Sequence, residues 1–151
     1  MKQEDLLLID LCSRLYYKVK VSLIYNNEEY KGTLCAIYPE DNRVIIDNLN
    51  KPCHYYKQTC GGFLIDENKV KPYLFPLSSM TKEQKREYHQ STSKDIDMLQ
   101  DVILERINGK DNTNKHAIAY NGIDWLNAHH FDCRGLIEKG LAIDCTNLNI
   151  Y

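Results

Sequence analysis

Thiols and imidazoles are the side chains of this sequence best suited to metal chemistry, and they fall into two short groups. The groups are Cys53, His54 and Cys60, and then His129, His130 and Cys133. Thiolate and imidazole are the natural ligands of tetrahedral zinc, but a zinc knuckle places its two cysteines about two to four residues apart. Cys53 and Cys60 are seven positions apart. The sequence therefore favours unrelated buried thiols and a helix-end histidine pair, with a zinc-containing protein as an alternative and no metal ligand assigned.

Acid–base or nucleophilic catalysis is not supported by the sequence. Adjacent helical residues such as His129 and His130 diverge by about 100°, so their rings cannot easily face one substrate atom. His129 is instead expected to contact carbonyl groups at the end of a helix. A catalytic cysteine needs a base and an orienting group, and no local signature singles one out. Because the phosphate-binding loop, dinucleotide-binding and metalloprotease patterns are also absent, we predict no catalytic residue and no cofactor.

A candidate ligand-binding loop combines ammonium groups with aromatic rings. Its predicted residues are Lys51, His54, Tyr55, Tyr56 and Lys57, with Lys71 and Tyr73 lying nearby. Stacking on an aromatic ring contributes about 1–3 kcal/mol per base, and lysines neutralise phosphate. The loop could therefore receive a nucleotide or single-stranded nucleic acid. The alternative is that its tyrosines pack on the β module with their hydroxyls in solvent.

The densest apolar cluster lies between residues 125 and 141 and includes Trp125 and Phe131. Two helices there would pack as a hairpin, but a DNA-reading pair would want a basic second helix. Arg134 is offset by neighbouring acidic residues, so duplex DNA is not an expected partner. The cluster is either domain core or a surface for a dimer or a partner. On the second interpretation the interaction surface consists of Trp125, Phe131 and Arg134.

Hydrophobic periodicity identifies the elements that must position these residues. A helix is predicted over Gln3–Arg14, and alternation then indicates short antiparallel strands with a turn at Asn26-Asn27 and a possible bulge at Gly32. The buried stripe of the helix is predicted to be Leu8, Leu11, Cys12 and Leu15. Strands are predicted over residues 18–23, 30–38 and 43–49, and residues 63–65 and 70–74 are expected to supply one or two more. This number of short strands favours an α+β fold with a small curled sheet or SH3-like antiparallel barrel.

After residue 77 the period becomes helical. Thr81 and Gln84 match a capping box at the start of a polar helix, and Asp132 is positioned to cap a short final helix. The predicted helices cover residues 82–89, about 95–107, from 117 or 121 to 129, and 133–139, followed by a tail without periodicity. The sequence thus predicts a helix plus a small β module over residues 1–77 and a C-terminal helical segment over 78–151.

Composition limits the class of protein. The 151 residues include 19 basic and 21 acidic groups, a formal net charge of −2, which argues against strong attraction to duplex DNA or an anionic membrane. No stretch approaches the roughly eighteen apolar residues of a spanning helix, and the first apolar run is too short for a secretion signal. We therefore expect a cytoplasmic protein with reduced cysteines. Cys12 and Cys35 are expected on apolar faces as small hydrophobic residues.

Two segments carry a resemblance to a known group of proteins. Residues Val70–Thr81 and Ile123–Ala142, and more loosely Lys18–Leu49, resemble small uncharacterised proteins encoded by bacteriophages and prophages of gut Bacteroidales. The resemblance implies a mobile-element origin and an accessory role in the cytoplasm of a bacterial host. It carries over no activity and no site residue.

The sequence as a whole predicts a non-enzymatic phage or prophage accessory protein that binds a protein partner or assembles with itself. The observations behind this prediction are the absence of catalytic signatures, the tyrosine-rich β module and the aromatic C-terminal cluster. The alternative is a module that binds a nucleotide or single-stranded nucleic acid through the Lys51–Lys57 loop, with sequestration of a nucleotide signal in counter-defence as one use.

Overall fold

The computed structural model describes residues 3–53, 62–92, 96 and 113–151. Three helices and seven strands lie in these ranges. The helices are α1 (Gln3–Arg14), α2 (Lys82–Thr92) and α3 (Thr113–Ala128). The strands are β1 (Lys20–Tyr25), β2 (Glu28–Tyr38), β3 (Arg43–Asp47), β4 (Phe63–Leu64), β5 (Lys71–Pro76), β6 (Phe131–Asp132) and β7 (Ile143–Asp144).

The described strands form one open, mostly antiparallel sheet. Their order is β4-β3-β2-β1-β5-β6, and β7 pairs with β5 away from this path. The pairs from β4 to β5 are antiparallel, whereas β6 and β7 run parallel to β5. The α+β class, the N-terminal helix and the C-terminal helix are confirmed. Closure into an SH3-like barrel is not confirmed, because the described sheet is open.

The hairpin between β1 and β2 forms as predicted, but the bulge lies elsewhere. Asn26 and Asn27 have φ angles of 50° and 62°, the left-handed pair that a two-residue hairpin turn requires. Gly32 pairs regularly with Val21, and the irregularity falls between Leu34 and Ala36. Gly32 is needed for space: a Cβ atom there would lie 2.5 Å from Cγ2 of Ile46.

Helix α1 has the predicted bounds but turns a different face to the core. The residues it buries are Leu6, Leu7, Asp10, Leu11 and Arg14. Cys12 is exposed, so its assignment to the buried stripe was wrong, and Cys35 is exposed as well at the irregular part of β2. The prediction counted apolar residues only. It therefore did not include Asp10 and Arg14, which lie four positions apart and are buried together as an ion pair.

Two hydrophobic clusters fill the interior. The first joins α1 to the inner face of the sheet, and the second joins α2, α3 and β6. The members of the second cluster are Met80, Tyr88, Leu126, Phe131 and Cys133. Both reciprocal bonds of the predicted capping box are present: Thr81 N–H donates to Gln84 Oε1 at 2.8 Å, and Gln84 N–H donates to Thr81 Oγ1 at 3.2 Å.

The C-terminal region departs from the prediction in two ways. Residues 133–139 form turns rather than a helix, and residues 143–144, assigned to an irregular tail, form β7. The helix predicted over about 95–107 lies outside the described residues except for Ile96. The division at residue 77 stays a prediction, although β6 and β7 from the second part pair with β5 in the first. Among the described helices, none combines the length and apolar content needed to cross a bilayer.

Candidate functional site

A buried ionic group joins α1 to the turn that follows β6. Arg14 Nε donates to Asp10 Oδ2 at 2.7 Å, and neither side chain has exposed surface. Arg134 Nη1 donates to the second oxygen, Asp10 Oδ1, at 2.8 Å. Burial alone would lower the pKa of Arg14, but the charge and hydrogen bond of Asp10, together with the neighbouring Cys133 and Asp132, outweigh burial and raise the pKa. The two guanidinium groups therefore share one buried carboxylate.

The ionic group continues into a set of incompletely paired polar atoms. Arg14 Nη2 donates to the carbonyl of Phe131 at 2.8 Å, while its Nη1 has no partner within the described structure. Two nearby buried atoms are likewise without a partner there, Asn127 Oδ1 and His130 Nδ1. Asn127 lies beside the ionic group because its Nδ2 donates to the carbonyl of Ser13, the residue before Arg14, at 3.4 Å. These contacts join α1 to α3, and we call this region the junction.

The thiol and the imidazole at this junction are not primed for reaction. Burial raises the pKa of Cys133, although the charges of Arg134 and Arg14 oppose the shift. A raised pKa keeps the thiol protonated, and the thiolate is the nucleophile. Burial lowers the pKa of His130 to about 4, with Arg14 and His129 adding to the effect. The His130 ring is therefore neutral at pH 7 and stacks on Tyr151, with centroids 3.9 Å apart.

Asp132 shapes the turn beside the ionic group. Its carboxylate accepts the N–H of Leu136 at 2.9 Å and of Ile137 at 2.8 Å. The predicted capping role of Asp132 is thus present without the helix. A cleft of about 390 Å³ opens between this turn and residues 76–78, but Asp132 faces it with its oxygens already occupied, and Lys139 Nζ is turned back onto the carbonyl of Gly135 at 3.2 Å.

The predicted ligand loop is only partly described. Lys51 Nζ donates to Glu28 Oε2 at 2.7 Å and lies 4.5 Å from the centroid of the Tyr30 ring. Residues His54, Tyr55, Tyr56 and Lys57 lie outside the described residues. Tyr73 is 2% exposed, so its ring is not available for stacking on a base. Lys71 lies on the face of the sheet opposite to Tyr30, and the two predicted parts of the site are not brought together.

The predicted interaction surface is mostly interior. Phe131 is 2% exposed and Trp125 is half-buried, stacked on His129 with centroids 3.8 Å apart. His129 Nδ1 lies 2.8 Å from the Trp125 carbonyl, as expected of a helix-end histidine. Arg134 is committed to Asp10. Phe131 thus belongs to the second hydrophobic cluster, and Trp125 packs against that cluster while staying partly exposed.

Two described cysteines of the zinc alternative, Cys53 and Cys133, lie in different parts of the core. Cys53 belongs to the first hydrophobic cluster and Cys133 to the second, while His54 and Cys60 are outside the described residues. Within the described ranges no three metal-ligating side chains come together. The five cysteines in those ranges are free thiols.

A row of ammonium groups lies on the outer face of the sheet, which we define as the face opposite α1. Ser22 pairs with Lys31 on one side and Lys71 on the other, so the two lysine Cα atoms are about 10 Å apart. Lys20, two residues before Ser22 on β1, donates to Thr33 Oγ1 at 2.8 Å. We call Lys20, Lys31 and Lys71 the lysine row. The alternation of apolar and polar residues in the sequence predicts that each lysine lies on a strand. Only the order of the strands in the sheet shows that the three lysines are neighbours.

A second surface feature is an apolar stripe on the outward face of α1. We define the outer stripe as Ile9, Cys12 and Tyr16, which are spaced by three and four residues. Ile9 is 47% exposed and Tyr16, just past the end of α1, is 89% exposed. The ring of Tyr16 meets Tyr17 edge-on, with centroids 5.5 Å apart, and the Tyr17 hydroxyl is bonded to Asp124. Of these three residues the sequence pattern assigns only Cys12 to a face of the helix, and that face is the buried one.

Comparison of the chain with protein families, curated proteins and solved structures found no match. The surfaces that the fold presents are therefore the evidence on function. The outer stripe offers apolar contact, and the lysine row offers positive charge. The buried ionic group connects α1 to the rest of the molecule and holds the outer stripe in a fixed orientation.

Proposed function

We propose that the protein is a non-enzymatic binding protein that acts by protein–protein contact, with the outer stripe of α1 as its contact surface. The observation that carries the proposal is the exposure of Ile9 and Cys12 on the outward side of α1, with Tyr16 exposed just past the end of the helix. Single exposed apolar residues are common on protein surfaces, but a contiguous set is typical of interaction sites. Tyrosine in particular is enriched at the centre of interfaces.

The anchoring of α1 supports this proposal. Asp10 and Arg14 lie on the opposite side of the helix and are both fully buried. The outer stripe is consequently presented on a rigid element, and a partner would bind it without first ordering the helix. Covering the stripe would remove apolar surface from water, a gain on the order of a few kcal/mol. Nothing in this scheme requires a reactive group, which agrees with the raised pKa of Cys133.

Site-specific photocrosslinking tests the proposal. Tyr16 is replaced by p-benzoylphenylalanine, and the matched control carries the same replacement at Tyr38, which is 46% exposed on the sheet. Each of the two variants is irradiated in two settings. One is a concentrated solution of the pure protein, and the other is bacterial cells that express the chain. We expect a discrete protein adduct from position 16 and none from position 38. Equal adducts from both positions, or none from position 16 in either setting, would overturn the proposal.

A second candidate function is the binding of a phosphate-bearing ligand at the lysine row. Lys31 and Lys71 lie on either side of Ser22, on the two strands that pair with β1. The ion pairs between described residues involve neither lysine, and Lys31 Nζ lies 5.9 Å from the centroid of the Tyr73 ring. Glu29 offsets part of the charge because it accepts the hydroxyl of Ser22 at 2.8 Å. Three ammonium groups on a sheet face suit the backbone of a nucleotide or of single-stranded nucleic acid, and such binding weakens as salt rises.

Thermal shift measurements with inorganic polyphosphate and a short single-stranded oligonucleotide test this second function. The double variant Lys31→Ala, Lys71→Ala should lose any increase in Tm, whereas Lys85→Ala, an exposed lysine on α2, should retain it. The double variant Tyr55→Ala, Tyr56→Ala separates the sheet from the Lys51–Lys57 loop. Loss of the shift only in the tyrosine variant would move the site to the loop, and no shift in the wild type would remove this function.

The biological setting belongs to the proposal as well. The resemblance of Val70–Thr81 and Ile123–Ala142 to phage and prophage proteins supports an accessory role in the cytoplasm of a bacterial host. A small binding protein without reactive groups suits such a role, because sequestering or blocking a target requires contact only. The genes that flank this one would show whether it accompanies structural, replication or early accessory genes.

A further inference from the structure

We propose that the junction of α1 and α3 is a binding site for one internal water molecule, held by the side chains of Arg14, Asn127 and His130. The site lies in the interior, so the proposal is independent of the outer stripe and of the lysine row. Three observations carry it: three buried polar atoms, the contacts that hold them near one another, and the hydrogen-bonding roles that they leave open.

The three atoms are Arg14 Nη1, Asn127 Oδ1 and His130 Nδ1. Each is buried and has no hydrogen bond to the part of the chain that the structure describes. Arg14 has no exposed surface, and Asn127 is 2% exposed. Roughly 90% or more of buried polar groups in native proteins have a partner, which is either a protein group or an ordered water. Three such atoms in one region therefore point to a partner that they share.

The surrounding contacts hold the three side chains close together. Arg14 Nη2 donates to the carbonyl of Phe131 at 2.8 Å, and Asn127 Nδ2 donates to the carbonyl of Ser13 at 3.4 Å. The backbone closes the ring, because His130 N–H donates to the carbonyl of Asn127 at 3.1 Å. An oxygen bonded at about 2.7–3.2 Å to each partner can bridge atoms up to about 6 Å from one another. One water molecule can therefore span a ring of this size.

The roles of the atoms select water over an ion. A guanidinium nitrogen only donates a hydrogen bond, and the amide oxygen of Asn127 only accepts one. Turning the amide would exchange its roles, but it would break the bond from Nδ2 to Ser13. The shared partner must therefore accept from Arg14 and donate to Asn127. Water does both through one oxygen, whereas a halide ion cannot donate and a metal cation is repelled by Arg14.

His130 supplies the third contact. Burial lowers the pKa of its ring to about 4, and the charge of Arg14 adds to the effect, so the ring is neutral at pH 7. The Nδ1 atom of a neutral imidazole donates or accepts, according to which nitrogen carries the proton. It can therefore match either orientation of the bound water. A buried water in a protein typically makes about three hydrogen bonds, the number that this site offers.

Nuclear Overhauser measurements between water and the isotope-labelled protein test the proposal. The reporters are the Nδ2 protons of Asn127 and the carbon-bound proton next to Nδ1 of His130. A water that stays bound far longer than surface water gives cross-peaks of opposite sign in the laboratory-frame and rotating-frame experiments. We expect this signature at both reporters. The side-chain amide of Asn147, an exposed residue, is the control and should lack it.

Hydroxyl protons exchange with water and can imitate this signature, so the measurement is repeated in two variants. Ser13→Ala removes the hydroxyl of the residue whose carbonyl binds Asn127. Tyr151→Phe removes the hydroxyl of the ring that stacks on His130. Cross-peaks from a bound water persist in both variants. Their loss in either variant would assign the signal to that hydroxyl and overturn the proposal.

A variant of the site itself provides a second measurement. Asn127→Leu removes the acceptor and adds no polar group. Magnetic relaxation dispersion of the water nuclei, which counts long-lived waters, should fall by one water per molecule in this variant and stay unchanged in Asn147→Leu. An unchanged count in a folded Asn127→Leu protein contradicts the proposal. If this variant does not fold, the cross-peaks of the wild type decide alone, and their absence at both reporters rules the site out.

Discussion

Arg14 and Asp10 form an ion pair one helical turn apart, with 2.7 Å between Nε and Oδ2 and no exposed surface on either side chain. The pair is completed by Arg134, whose Nη1 reaches the other carboxylate oxygen at 2.8 Å. One buried carboxylate therefore holds together the first helix and a turn more than a hundred residues later in the chain. Removing one member of such a group leaves an uncompensated buried charge.

Replacement of Asp10 by alanine should be among the most damaging single changes in the protein. It would strand two guanidinium groups, and loss of one partner from a buried ion pair costs about 3–5 kcal/mol. The free energy of unfolding from urea denaturation measures the effect. The matched control is Glu28→Gln, which breaks the exposed pair with Lys51 and should cost far less. Equal losses in the two variants would show that the buried pair does not anchor α1.

His130 should make the protein less stable in mild acid. Its pKa is lowered from the usual value of 6.5 to about 4, first by burial and then by Arg14 and His129. Between these values the unfolded chain binds a proton that the folded chain does not, so stability is fully present above pH 6.5 and is lost as the pH falls toward 4. Allowing for the partial exposure of the ring, we expect a loss of about 1–2 kcal/mol.

Unfolding curves measured across this pH range test the prediction, with His130→Asn as the comparison. His130 has a φ angle of 60°, a left-handed conformation that asparagine tolerates well. The asparagine variant should lose much of the slope between pH 6.5 and 4 while the slope above pH 7 is unchanged. An identical slope in the variant would assign the acid sensitivity to other groups.

Local structure was predictable where a short-range signal determines it. The Asn26-Asn27 turn needs two left-handed residues, and the Thr81–Gln84 capping box needs only a hydroxyl and an amide three positions apart. Both are present in the structure. The helix bounds Gln3–Arg14 follow in the same way from a change of hydrophobic period. These features depend on neighbours in sequence and not on the rest of the fold.

Features set by distant contacts were not predictable. The orientation of α1 is decided by Asp10, whose second partner, Arg134, lies 124 positions away. Residues 143–144 carry no alternation, yet they form a strand because β5 offers them unpaired backbone groups. The candidate sites follow the same rule: Lys31 and Lys71 meet only through their common neighbour Ser22, and the buried Tyr73 pairs with Ile143 of the C-terminal strand.

Gly32 should not tolerate even one additional methyl group. A Cβ atom would lie 2.5 Å from Cγ2 of Ile46 and 2.7 Å from the backbone oxygen of Asp47, so β3 must move away from β2. Overpacking of this kind costs about 1–3 kcal/mol, and Gly32→Ala should lower Tm accordingly. The control is Gly140→Asn, since Gly140 has open space around it and a φ angle of 70°. A neutral Gly32→Ala variant would contradict the close approach of β2 and β3.

Tyr151→Phe should weaken the junction of β1 with β5. The Tyr151 hydroxyl donates to the carbonyl of Tyr73 at 2.9 Å and accepts the N–H of Lys20 at 3.1 Å, so it bridges the two strands beyond their last regular pair. Burial raises the pKa of this hydroxyl, which keeps it protonated as a donor. Phenylalanine preserves the stacking on His130 but removes the bridge.

Leaving two backbone groups without their partner should cost about 1–3 kcal/mol, toward the lower end because the Lys20 amide can reach water. Hydrogen exchange read at the Lys20 amide provides a local measurement in addition to Tm. We expect faster exchange at Lys20 in Tyr151→Phe and no change in Tyr38→Phe, whose ring is exposed. If exchange at Lys20 is unaffected, water replaces the hydroxyl without loss, and the bridge does not contribute to the stability of the sheet.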